Sequence, residues 1–275
     1  MVEIVLDKSY LDGAATAEVR AVWGRYIALM PQELFFEMMT TARKSQRRCF
    51  AKLPDGDTPV VLIPPVGVLI DFERQHQEAC GPLSRHRIDR RPYAFNRGLR
   101  DGSLVLGPED SAVFARWQTQ VDVDTRAFVA SSLGIADIFP ELAQARGAKL
   151  QAAVGAAQHR VATDLDFVRR IYGAAAPSDA PPPHRIGPQW AAFRFFQCRM
   201  LAALRVFASY QGALPKQAGP KFWRCAEHSM LDTYYLALGC LAGSLATRDV
   251  EIKEAFMLLC PDSVKVAPDV FGREG

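Results

Sequence analysis

The sequence predicts an α/β fold in which a central parallel sheet carries a large, mainly helical insertion. Two apolar strand-like runs near the ends of the chain each lead to an aspartate: Ile4-Val5-Leu6-Asp7 and Leu245-Ala246-Thr247-Arg248-Asp249. Strand and helix patterns alternate around both runs, as parallel strands joined by crossover helices require. Between them, residues 84–220 hold long helical stretches with few breakers. The sheet core is therefore assigned to residues 1–83 and 221–275, and the insertion to residues 84–220.

Residues 3–6 read as a buried strand, after which residues 7–13 turn the chain. Residues 14–26 are helical, with Val19, Val22, Trp23 and Tyr26 on one side. A second strand covers residues 26–30 and stops at Pro31. The helix that follows, residues 32–44, presents Leu34, Phe35, Met38 and Met39, with Glu37 set among them. A carboxylate among large apolar groups is expensive to bury without a partner. Pro54-Asp55-Gly56-Asp57 marks a turn, residues 60–65 are strand or extended chain, and residues 68–79 begin another helix. Residues 81–108 loosen into a polar, arginine-rich connection. Helices follow at 111–123, 125–133 and 141–172, then a proline-rich loop at 174–188. A helix with nearly continuous apolar positions spans 190–210. The chain closes with a helix at 225–241, a strand at 244–247, a helix at 250–260 and a strand at 263–267.

Of the 275 residues, 49% are apolar and 23% charged, which suits a globular chain with a substantial core. A net charge of +3 favours anionic partners only weakly. Cys49, Cys80, Cys198, Cys225, Cys240 and Cys260 form no C-x-x-C pair and no zinc-finger spacing. They read as reduced, structural thiols of a cytoplasmic protein. No secretory signal is apparent, and the apolar windows at 60–70 and 234–246 are too short to span a bilayer. The histidines make no H-E-x-x-H or comparable metal set, and Walker, Rossmann and G-x-S-x-G patterns are absent.

Four carboxylates form the candidate centre: Asp7, Glu37, Asp232 and Asp249. Ligands of open α/β sheets bind outside the carboxyl ends of the strands, so Asp7 and Asp249 meet in one crevice if their strands are neighbours. Asp232 lies 17 residues before Asp249, room for a helix, a turn at Gly243 and a returning strand. Clustered carboxylates repel one another and commonly coexist around a divalent cation, which points to Mg²⁺ or Mn²⁺. Ser9 and Thr247 offer hydroxyls beside the centre. Glu73 is the second choice for the place given to Glu37, and Glu251, with Glu254, is a further candidate ligand. The bland alternative is that Asp7 and Asp249 simply cap the helices that follow them.

Three stretches resemble the PIN-like nucleases. Ile4-Val5-Leu6-Asp7-Lys8-Ser9 looks like their opening strand with its Asp-x-Ser/Asn ending. Pro31-Gln32-Glu33-Leu34-Phe35-Phe36-Glu37-Met38 looks like the helix carrying their glutamate. Asp232-Thr233-Tyr234-Tyr235 through Leu245-Ala246-Thr247-Arg248-Asp249 looks like their closing acidic unit. The resemblance covers about residues 1–75 and 222–270, and the helical middle is a departure from the family's usual length. It implies a PIN-like three-layer fold and a metal-dependent endoribonuclease with Mg²⁺ or Mn²⁺ at Asp7, Asp232, Asp249 and Glu37. In that scheme Ser9 and Thr247 donate hydrogen bonds to the ligands.

RNA, single-stranded or structured, is the expected partner, with a protein inhibitor and a homodimer as further expectations and no membrane contact. Lys8, Arg43, Lys44, Arg47, Arg48, Arg87, Arg90 and Arg91 are the candidate phosphate contacts, with Tyr93 and Phe95 interleaved as stacking surfaces. Lys8 also places a cation beside the acidic ligands. That feature supports the alternative reading, a catalytically silent PIN-like module that binds RNA or protein. A third reading takes the chain as an all-helical interaction protein whose terminal strands are misread.

Overall fold

The computed structural model describes residues 2–56, 59–88, 97–104, 107–215 and 217–272. Four short strands run parallel: β1 (Val2–Leu6), β2 (Tyr26–Pro31), β3 (Val61–Ile63) and β4 (Ser244–Ala246). Two more, β5 (Val264–Ala267) and β6 (Val270–Gly272), complete a six-stranded mixed sheet of order β3-β2-β1-β4-β6-β5. The all-helical alternative is thereby excluded. The register sets Val5 opposite Leu245 and Leu6 opposite Ala246, so the two apolar runs from opposite ends of the chain are direct neighbours. The Asp7 N–H continues the ladder by donating to the Ala246 carbonyl at 3.0 Å.

The closing strands depart from the sequence expectation of a parallel crossover. β6, which the sequence reading missed, lies antiparallel between β4 and β5. Pro268 and Asp269 turn the chain back at once, with Asp269 in the left-handed region at φ 58°. A two-residue turn of this kind joins antiparallel neighbours. Three apolar residues after it are too short a run to show a period.

Helices cover both faces. After β1 come α1 (Lys8–Gly13), where a turn was expected, and α2 (Thr16–Trp23). The single helix expected at 32–44 is two, α3 (Gln32–Thr40) and α4 (Arg43–Lys52), the second carrying the basic run. α5 (Val66–His76) follows β3 and α6 (Arg97–Asp101) is short. α7 (Pro108–Leu133) is one helix where two were read, opened by Pro108 with Glu109 and Asp110 in its first turn. After α8 (Ile135–Ile138), the expected helix at 141–172 divides into α9 (Gly147–Thr163) and α10 (Leu165–Ala175). Asp164 makes that division, its side chain accepting from the Phe167 N–H at 2.9 Å. α11 (Ala191–Tyr210), α12 (Pro220–Ala242) and α13 (Val250–Leu259) complete the set. α12 ends on Gly243 at φ 71°, and a Cβ on Gly239 would approach Leu245 to 3.0 Å, so these glycines serve the turn and close packing onto β4.

Alternate residues of β1 enter different cores. Val5 packs with Leu29, Phe139, Val161 and Phe193 on one face, and Ile4 and Leu6 pack with Phe36, Phe114 and Phe128 on the other. The helices of residues 84–220 therefore share both cores with the sheet. No helix among the described residues is long and apolar enough to cross a membrane.

Candidate acidic site at the carboxyl ends of the strands

Asp7 leaves β1 beside Thr247, which follows β4, and two hydroxyls tie these segments together. Thr247 Oγ1 donates to Asp7 Oδ2 at 2.7 Å, and Ser9 Oγ donates to the same oxygen. Ser9 Oγ accepts the N–H groups of Arg248 and Asp249 at 2.9 and 3.1 Å, and Thr247 Oγ1 accepts that of Asp249 at 3.1 Å. Asp7 precedes α1 but makes no capping hydrogen bond to it. Asp249, by contrast, does cap α13, accepting from Glu251 and Ile252 N–H at 2.8 and 3.0 Å. The capping alternative thus holds for one aspartate and fails for the other.

Glu37 reaches the site from α3. Its Oε1 accepts from Lys8 Nζ at 2.9 Å and its Oε2 from the Tyr235 hydroxyl at 2.6 Å. Tyr235 lies on α12 one turn beyond Leu231 and is fully buried. Sequence reading gave it no role, because an aromatic on an apolar helix face looks like core until the tertiary contact is seen.

Asp232, on the same helix, is held well above the usual carboxylate range, first by burial and then by the charges of Asp7, Asp249, Glu37 and Glu251. Burial also pushes the Asp7 carboxyl up to about 6, against the hydrogen bonds from Ser9 and Thr247. Asp232 and Glu251 line one small cavity of about 30 Å³.

Carboxylates from β1, α3, α12 and the end of β4 are thus coupled in one region. Among the described residues, however, no three histidine, cysteine or carboxylate side chains are arranged to hold one metal ion. Asp7 is turned to its hydroxyls, Asp249 to its helix and Glu37 to Lys8 and Tyr235.

The second-choice residue Glu73 has a different task. It lies well along α5, away from the strand ends. Its Oε1 accepts from Ala191 and Cys80 N–H at 2.6 and 3.2 Å, and its Oε2 from Ala192 N–H at 2.9 Å. It is fully buried and anchors the start of α11.

The cations divide in the same way. Arg43, Lys44 and Arg47 are exposed on α4, directly after the Thr40–Ala42 wall of a cavity of about 680 Å³ that also contains Lys8 and Glu37. Arg224, Trp223 and His228 of α12 line that cavity too. Arg224 and Trp223 were missed by sequence reading, and nothing in their local pattern distinguishes them from an ordinary helix surface. Arg48 is engaged with Asp12, its Nε at 2.8 Å. Arg87 follows the turn Leu83–His86, which the Glu3 carboxylate holds through Leu83 and Ser84 N–H at 3.0 and 2.9 Å. Glu3 is at the amino end of β1, opposite Asp7, so this turn is not brought to the acidic site. Arg90, Arg91, Tyr93 and Phe95 lie outside the described residues. No protein-family model, curated protein or solved structure matches the chain.

Proposed function

We propose that the chain is a PIN-like, metal-dependent endoribonuclease acting at the crevice of Asp7, Glu37, Asp232 and Asp249. The observation that carries this reading is the convergence of carboxylates from distant stretches at the carboxyl ends of adjacent parallel strands. The parallel order β3-β2-β1-β4 with helices on both faces supports the same resemblance.

The donor set suits Mg²⁺ or Mn²⁺ in its chemistry: hard oxygens whose joint ionisation is opposed by burial and mutual repulsion. Magnesium keeps several waters and is commonly held through one or two carboxylates, so a closed cage of three or more side chains is not required. Asp7 and Asp232, with Asp249, would hold the ion. An ion bound there would supply charge neutralisation and activation of water for attack at phosphorus. Ser9 and Thr247 fix the orientation of Asp7, and Tyr235 fixes that of Glu37. Glu37 would orient the attacking water or hold the ion. Lys8 and the exposed Arg43, Lys44, Arg47 and Arg224 offer positive charge to the phosphate backbone along the 680 Å³ cleft.

The 2.9 Å ion pair of Lys8 with Glu37 favours a second reading, in which the ammonium takes the neutralising place of a cation and the protein binds RNA without cutting it. Cleavage of a mixed RNA pool by wild type and Asp7→Asn, with and without Mn²⁺, separates the two. Metal-dependent cutting abolished by Asp7→Asn supports the nuclease. RNA binding without cutting supports the silent module. Cutting that survives Asp7→Asn unchanged removes the assigned centre.

A further inference from the structure

Another cavity, of about 350 Å³, adjoins the 680 Å³ cavity that holds Lys8 and Glu37 and shares Leu231 with it as a wall. It lies at the carboxyl ends of β2 and β3, where α3 and α5 begin, and is roofed by α7 and α11. Its lining includes Glu33, Trp117, Asp124, Phe195, Arg199 and Tyr234.

Two features set this cavity apart from an ordinary packing defect. Glu33 is 4% exposed, and its Oε2 is buried without a hydrogen-bond partner among the described residues. A polar atom in that state is costly unless something supplies the missing bond. The walls also carry flat aromatic faces that are only half-buried. Trp117 stacks on Phe36 with centroids 4.8 Å apart, and Phe195 and Tyr234 lie parallel at 5.5 Å and 6°. Arg199 sits 5.7 Å from the Phe195 ring centroid, adding a guanidinium to the same wall. Asp124 adds an acceptor.

We propose that this cavity receives an unpaired base of the RNA strand, stacked on its aromatic faces and hydrogen-bonded along its edge by Glu33. The inference rests on reading the neighbouring cluster as an RNA site and adds the element that selects the base. Glu33 and Glu37 are one helical turn apart on α3, and Leu231 precedes Asp232 on α12. A strand whose phosphate lies beside Glu37 in the 680 Å³ cavity would bring its next base past Leu231 to the mouth of this one. Burial pushes the Glu33 carboxyl up to about 7, so near neutral pH it offers both an O–H donor and a carbonyl acceptor to a base edge. Aromatic stacking is tolerant of base identity, and discrimination then falls to Glu33, Asp124 and Arg199.

The test is fluorescence anisotropy with a labelled single-stranded RNA ten nucleotides long, in EDTA so that binding is read without cleavage. The four nucleoside 5′-monophosphates serve as competitors. Trp117→Ala should weaken RNA binding about tenfold, the loss expected for one stacked base. Gly67→Leu should do the same by filling the mouth: Gly67 lines the cavity, is exposed, and an added Cβ there meets nothing within 4 Å. This variant removes no packing, so it decides the matter if Trp117→Ala fails to fold. Glu33→Gln should change the order in which the four monophosphates compete.

RNA affinity unchanged by Gly67→Leu overturns the proposal, as does equal affinity for a monophosphate and for the oligomer, which would make a free nucleotide the occupant. A protein that binds RNA through Trp117 but cuts nothing in Mn²⁺ keeps the base pocket and loses the nuclease. A protein that cuts in Mn²⁺ but binds RNA independently of Trp117 and Gly67 keeps the nuclease and loses the pocket.

Discussion

Lys8 Nζ stands 2.9 Å from Glu37 Oε1, joining the first residue of α1 to the acidic face of α3. Both side chains are largely buried, at 20% and 13% exposure, and Tyr235 holds the other glutamate oxygen. On the proposed reading, Lys8 therefore competes with an incoming cation for Glu37. Lys8→Met should leave Glu37 with only the Tyr235 hydroxyl and lower metal-free stability by about 1–2 kcal/mol. It should also tighten Mn²⁺ binding, because the released charge must be neutralised. Urea unfolding and Mn²⁺ titration read the two effects, and a variant with unchanged stability and weaker Mn²⁺ binding contradicts this account.

Asp7 gives a pH signature. Its carboxyl is pushed up to about 6 by burial, from an ordinary value of 3.8, so the folded state holds its proton more tightly than the unfolded chain. This group's contribution to stability therefore falls as pH rises from about 4 through 6 and stays low above that, a cost of about 3 kcal/mol at neutral pH. Asp7→Asn should flatten the decline in metal-free protein, as measured by denaturant unfolding across pH 4–7. An equally steep decline in the variant would assign the effect to another group.

Thr247 is 1% exposed, donates to Asp7 and accepts from the Asp249 N–H. Thr247→Val keeps the shape and removes both bonds. Metal-free stability should fall by about 1–3 kcal/mol, the usual result of leaving buried polar groups short of a partner. The Asp7 carboxyl, deprived of one donor, should titrate higher still, and on the proposed nuclease reading the acid limb of cleavage should move to higher pH. A pH profile that does not move would mean that the hydroxyl does not tune Asp7.

Glu73 separates architecture from chemistry. Its carboxylate accepts three backbone N–H groups, two of them from the start of α11. Glu73→Ala should destabilise the fold by about 3 kcal/mol or more, since three buried donors lose their acceptor together. On the proposed nuclease reading, cleavage per folded molecule should not change. A stable Glu73→Ala protein that has lost cleavage would return this residue to the ligand set.

Local pattern carried a good deal of this protein. The apolar runs ending in Asp7 and Asp249, the hydroxyls at Ser9 and Thr247, and the turn at Gly243 follow from strand periodicity and from residues suited to strand ends and caps. Those preferences act over a few residues, so they are written in the chain itself. What tertiary packing decided is which side chains share a pocket and how each carboxylate is partnered. Glu33, Glu37 and Glu73 are the same residue type in helical sequence. One has an oxygen buried without a partner among the described residues, one is paired with Lys8 and Tyr235, and one is bound to the start of α11. The same holds for β6, whose three residues become a strand only because β4 presents a free edge to the hairpin. Desolvation and long-range pairing depend on neighbours separated by up to 240 positions, such as Thr247 and Asp7, and no local pattern encodes them.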